Sequence, residues 1–167
     1  MEPSEPERRL SHEGKERRRP SIAKVGRGLP SELCREEPPA ALLQGIEEFN
    51  QRRFFEQHET LEGAWIEETD PVRYLYQGIL QVGVGFYHLS RGNFRGAIGL
   101  LTRGIGYLHP FTPACMGVDV ARLVEEAERA HGHLLELGQA RMREFDPSLI
   151  PQVHLSAEPA PSTTNGD

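Results

Sequence analysis

Between about residues 39 and 146 the apolar positions recur at helical spacing, and nowhere do they settle into the alternation of a half-buried strand. Pro39 stands where a helix can begin without needing its N–H, and the pattern that follows predicts a first helix to about Asn50. A second is expected over residues 54–67, stopped by Asp70-Pro71, since the residue before a proline is pushed out of helical geometry. The third, over 72–90, is the longest apolar stretch and ends at Arg91-Gly92. Asn93 caps a fourth, over 93–108, which His109-Pro110 and Pro113 halt, and Asp119 caps a fifth, running to about Phe145. Short connections make sequential helices antiparallel. The fold class is all-α, about five helices in antiparallel hairpins.

The second helix interrupts its own apolar face. In FFEQHETLEGAW, residues 54–65, a turn of about 100° per residue puts His58 on the arc of Phe54, Phe55, Leu61 and Trp65, with Glu62 one turn on. In the third helix Tyr74, Gln77, Gln81 and His88 fall on one narrow seam with no charged residue between Arg73 and Arg91. Solvent-facing seams elsewhere in the chain carry Arg and Glu, so this one is expected to be partly buried, facing His58 and Glu62 across the 68–71 turn. A buried carboxylate is costly without hydrogen bonds, which makes His58, Gln77, Gln81 or His88 the expected partners of Glu62.

An offset of 39 residues superposes Phe55–Leu61 on Phe94–Leu100, an interval in the range of helical-hairpin repeats. RGNFRGAIGLLTRGIGYLHP, residues 91–110, has the look of the second helix of a tetratricopeptide unit, and His58 takes the place held by Ala97 in the later copy. The third and fourth helices also carry Gly78, Gly83, Gly85, Gly96, Gly99, Gly104 and Gly106. Each costs about 1 kcal/mol relative to alanine inside a helix, so close helix–helix approach is expected at these positions.

Composition sets the boundaries. Residues 1–38 and 147–167 are proline-bearing and poor in aromatic residues, and both are expected to be disordered tails around a domain at 39–146. The chain carries a net charge of −6, but residues 1–38 hold nine Lys/Arg against eight Asp/Glu while the remainder holds ten against seventeen. An acidic folded surface repels phosphate backbones, which excludes nucleic acid as a partner of the domain. The basic cluster KERRRP, residues 15–20, is a candidate contact for an acidic partner. No apolar run approaches the roughly 18 residues of a membrane span. Cys34 and Cys115 fit neither a metal pair nor a disulfide framework, so two unlinked thiols in a reducing cytoplasm are expected.

Several chemistries drop out. The only lysines, Lys15 and Lys24, lie in the N-terminal tail, which removes a lysine nucleophile from the domain. No Gly-x-Ser-x-Gly is present, and neither cysteine has a motif partner. What remains is the cluster of His58, Glu62, Trp65, Gln77, Gln81 and His88. It can bind a small polar ligand or a protein partner, the latter through Trp65 with Tyr74 and Tyr76. It can instead serve a hydrolase in which His58 or Glu62 activates water, with or without a divalent metal, or it can be a structural polar network fixing helix register. HETLE, residues 58–62, departs from the zincin His-Glu-x-x-His in its last position, so a metal on His58 and Glu62 would need a further ligand such as His88. His131 and His133, two apart on the last helix, point in different directions, and His109 and His12 carry no spacing signal.

FNQRRFFEQHETLEGAW, YLYQGILQVGVGFYHLSRGNFRGAIGLL and MGVDVARL together resemble a family of small helical proteins, the domain-of-unknown-function family numbered 309. The likeness spans about residues 46–123 and falls on His58, Glu59, Glu62, Trp65, Gln77, Gly78, Gln81, His88, Gly92, Asn93, Gly96 and Ala97. Gly83 and Gly85 depart from the plain aliphatic third helix of such proteins. The resemblance implies a compact all-helical fold and no assigned reaction.

Overall fold

The computed structural model describes residues 31–156. Five α-helices follow in order: α1 (Ala40–Asn50), α2 (Phe54–Glu67), α3 (Arg73–Ser90), α4 (Phe94–Leu108) and α5 (Val120–Leu137). Each packs chiefly against the next, with α3 between α2 and α4. The bundle is all-α apart from a two-stranded antiparallel ribbon, β1 (Ala114–Cys115) and β2 (Val118–Asp119).

Capping explains the ends. Asn93 and Asp119 each accept a backbone N–H in the first turn of the helix that follows, from Gly96 and Arg122. In the α2–α3 turn Glu68 accepts the Asp70 N–H at 3.0 Å, and Asp70 accepts the Val72 N–H at 2.8 Å. The fifth helix stops at Leu137, short of the expected 145, because Gly138 takes φ 71°, which a helix cannot continue and which glycine adopts at no steric cost. A 3-10 segment, Gln139–Glu144, follows. The ribbon also went unforeseen: its turn residues Met116 and Gly117 both have positive φ, and only the glycine advertises that in the sequence.

Along α3 every residue from Tyr74 to Phe86 is buried, making it the axis of the core. Phe49 meets Phe54 edge-on at 5.4 Å, and Tyr74 stacks on Tyr107 at 5.7 Å. The Tyr76 hydroxyl donates toward the Met116 sulfur at 3.7 Å. Burial, with the Glu68 and Asp70 carboxylates adding to it, pushes that hydroxyl up to about 12, so it stays a neutral donor.

The expected glycine function holds where helices cross. A Cβ on Gly104 would lie 2.9 Å from the Val82 nitrogen and 3.0 Å from the Gly78 carbonyl, so α3 and α4 touch backbone to backbone there. A Cβ on Gly83 would fall 2.5 Å from the Gln57 amide.

The cysteine expectation is overturned. Cys34 and Cys115 form a disulfide across 81 residues of sequence. Residues 31–38 fold back against the ribbon, with the Met116 N–H donating to the Cys34 carbonyl at 2.7 Å, and this long-range return leaves no spacing signature. The bond also removes the argument for a reducing compartment that rested on unlinked thiols. Glu32–Arg35, capped by the Ser31 side chain, thus forms a 3-10 turn inside a stretch whose composition resembles a tail. At the other end Asn50 clasps Val153 through both side-chain atoms, at 3.0 and 2.8 Å. The KERRRP cluster and residues 157–167 lie outside the described residues. Among the described residues no helix is long and apolar enough to cross a membrane.

Candidate functional site

The α2–α3 pair is an antiparallel hairpin whose register is fixed at two points. Near one end the Gln57 amide donates to the Leu80 carbonyl at 3.1 Å and fills the space left by Gly83. At the other, the Arg73 guanidinium lies 4.3 Å from the Trp65 ring centre and donates to the Trp65 carbonyl at 3.1 Å. On the α3 side Gln77 precedes Gln81 by one turn, and His58 follows Gln57 on the α2 side.

All three are buried: His58 is 1% exposed, Gln81 0% and Gln77 4%. Gln57, also fully buried, adds a further interior polar side chain on α2 that the arc of His58 does not include. Its signal was available in Gly83, a glycine inside an apolar helix that only a polar or bulky neighbour explains. Its carbonyl oxygen is buried without a hydrogen bond.

Glu62 is not interior. Its side chain is 38% exposed, and a carboxylate oxygen lies 3.6 Å from His58 Nε2, longer than a good hydrogen bond but within ion-pair range if the imidazole is protonated. The expected need of Glu62 for Gln77 or Gln81 therefore disappears, since water serves an exposed carboxylate. His58 and Glu62 form a contact between inside and outside, and half-buried Trp65 continues the same edge.

His88 stands apart. It lies two turns beyond Gln81, and its Nδ1 accepts from the Asn93 amide at 3.1 Å while the Asn93 oxygen caps Gly96 at 2.9 Å. That geometry assigns it to closing the α3–α4 turn, with Nδ1 unprotonated. Of the six candidate residues the hairpin thus groups His58, Gln77 and Gln81 in its interior, puts Glu62 and Trp65 at its rim, and sends His88 to its far end. Tyr74 and Tyr76, considered as groove residues, are 4% and 2% exposed and belong to the core. Among the described residues no three of His, Cys, Asp and Glu converge as a metal-binding group. His131, bonded to Thr102 at 3.0 Å, is held below its ordinary pKa by burial, and His109 pairs with Glu128 at 3.2 Å, both outside the α2–α3 hairpin.

Residues 42–100 match the family described as Domain of unknown function (DUF309). An uncharacterized protein of Bacillus subtilis (strain 168), YpuF, is 36% identical over 104 residues, which cover 61% of this chain and 55% of YpuF. The chain thus spans about half the length of that relative. No solved structure matches it. The matched segment runs from α1 into α4 and contains His58, Glu62, Trp65, Gln77, Gln81 and His88, so the likeness to the DUF309 family takes in all six candidate residues.

Proposed function

We propose that the domain is a binding module which takes a cationic segment of a protein partner along the outer edge of α2. The observation that carries this is the make-up of that edge. Glu56, Glu59, Glu62 and Glu67 lie there with no lysine or arginine in the helix, and Ile66, 60% exposed, sits among them beside Trp65. Arg73 of α3 already lies against Trp65 at 4.3 Å, so this edge accommodates a cation, and an exposed large apolar residue among carboxylates favours a partner offering both an apolar contact and positive charge. In this reading the interior layer of His58, Gln57, Gln77 and Gln81 holds α2 at a fixed height on α3 and steadies Glu62 from behind. A small amine-bearing ligand uses the same chemistry on a smaller scale.

The burial of His58, 1% exposed, counts against that residue as the base in hydrolysis, since such a base must reach a substrate-bound water. The two-copy relation between Phe55–Leu61 and Phe94–Leu100 fits an interaction domain of hairpin units, with His58 and Ala97 both interior. A cytoplasmic setting is part of this reading.

Trp65 is the only tryptophan, so its emission reports on this edge alone. Titration with a short peptide of alternating arginine and leucine is expected to give a saturable change in wild type. Glu59→Lys with Glu62→Lys should weaken it by about tenfold or more, while Glu125→Lys on the exposed face of α5 should leave it unaltered. A flat wild-type titration, or equal weakening by Glu125→Lys, sinks the proposal.

A further inference from the structure

The Cys34–Cys115 bond joins two unlike environments. Cys115 is 1% exposed within the ribbon, whereas Cys34 is only half-buried, on a short 3-10 turn whose neighbours Glu32, Arg35, Glu36 and Glu37 are exposed. Apart from the disulfide, residues 31–38 meet the other described residues at a handful of points. The Ser31 hydroxyl donates to Asp70 at 2.6 Å, Cys34 accepts the Met116 N–H, Leu33 packs partly on the core, and Pro38 lies over Gly117. Among the described residues, two long-range hydrogen bonds, buried Ser31 and partly buried Leu33 and Pro38 contribute little against the entropy of ordering eight residues, so the covalent bond decides whether this segment stays down.

We infer that Cys34 is a thiol–disulfide exchange site, and that a dithiol reductant acting on it releases residues 31–38 from the bundle while the helices remain folded. A thiolate of the reductant attacks the sulfur of Cys34, the more exposed of the two residues, and the Cys34–Cys115 bond breaks with its electron pair leaving on Cys115. The second thiol of the reductant, as its thiolate, attacks the reductant sulfur of the mixed disulfide and expels Cys34 as a thiolate. The two protons given up by the dithiol end on the two cysteines, and the reductant leaves as a disulfide. Release frees the Met116 N–H from the Cys34 carbonyl, and it removes the Ser31 contact from Asp70, whose carboxylate caps the start of α3. The segment is therefore a latch over one end of the α2–α3 hairpin, opened by reduction and closed by oxidation. This inference stands whether or not the outer edge of α2 binds a cationic partner.

The test uses the full chain purified without reductant, before and after treatment with dithiothreitol. Thiol titration should find no free cysteine before and two after. Amide exchange at Met116 and Glu36, whose N–H groups donate to Cys34 and Leu33, should quicken by at least about tenfold on reduction while far-ultraviolet circular dichroism is unchanged. Cys34→Ser should show the fast exchange with or without dithiothreitol. Free thiols that persist under an oxidant, equal exchange in the two states, slow exchange in Cys34→Ser, or melting of the helices on reduction would each overturn the inference.

Discussion

Gly104→Leu is expected to destabilise the protein by about 3 kcal/mol or more. At this crossing α4 leans on α3 through main-chain atoms. A side-chain carbon at residue 104 would meet the Val82 nitrogen at 2.9 Å and the Gly78 oxygen at 3.0 Å, and backbone inside a helix cannot rotate away as a long side chain can. The two helices must separate, loosening Leu101 and Leu108, both fully buried. The opposite sign is expected at Gly132 in α5, where an added carbon meets nothing within 4 Å: Gly132→Ala should stabilise by about 0.5–1 kcal/mol through helix propensity. Urea unfolding of the two variants checks the pair. Similar effects at the two sites would mean that the α3–α4 contact is looser than described.

His58→Ala should cost about 2–4 kcal/mol, the range for emptying a buried site whose polar neighbours then lose a partner. His109→Ala, with 56% of its side chain exposed, should fall within about 0.5 kcal/mol of wild type. The contrast separates an interior imidazole from a surface one in the same chain, again from urea midpoints. If His58→Ala proves as mild as His109→Ala, the imidazole contributes little to the α2–α3 contact, and Glu62 has no fixed support behind it.

Helix placement was legible because its signals are local. Asn93 and Asp119 are caps, and Asp70-Pro71 and His109-Pro110 are stops, each acting within a turn of its own position. The polar layer was legible in outline because uncharged Gln77 and Gln81 stand on an otherwise apolar helix. What escaped depends on distance in the chain or on geometry one helix cannot report. Cys34 meets Cys115 only because residues 31–38 double back, and Asn50 reaches Val153 across 103 positions. His88 shares the stripe of Gln81, but rotation about an axis says nothing of translation, and two turns carry it to Asn93. Glu62 shares the arc of His58, yet its longer side chain at the flank of the hairpin reaches solvent. Gly138 stops the fifth helix by its left-handed backbone, and nothing in the apolar spacing of Met142 and Phe145 foretold the break.

The account turns on His58 being enclosed between α2 and α3 with only Glu62 leading outward. Carbethoxylation with diethylpyrocarbonate, read out by peptide mass spectrometry on the folded protein, addresses that most directly. His109 should be modified readily, while His58 should resist until denaturant unfolds the domain, after which both should react alike. Modification of His58 at the rate of His109 under native conditions would contradict the account and return the imidazole to the candidates for an open catalytic site.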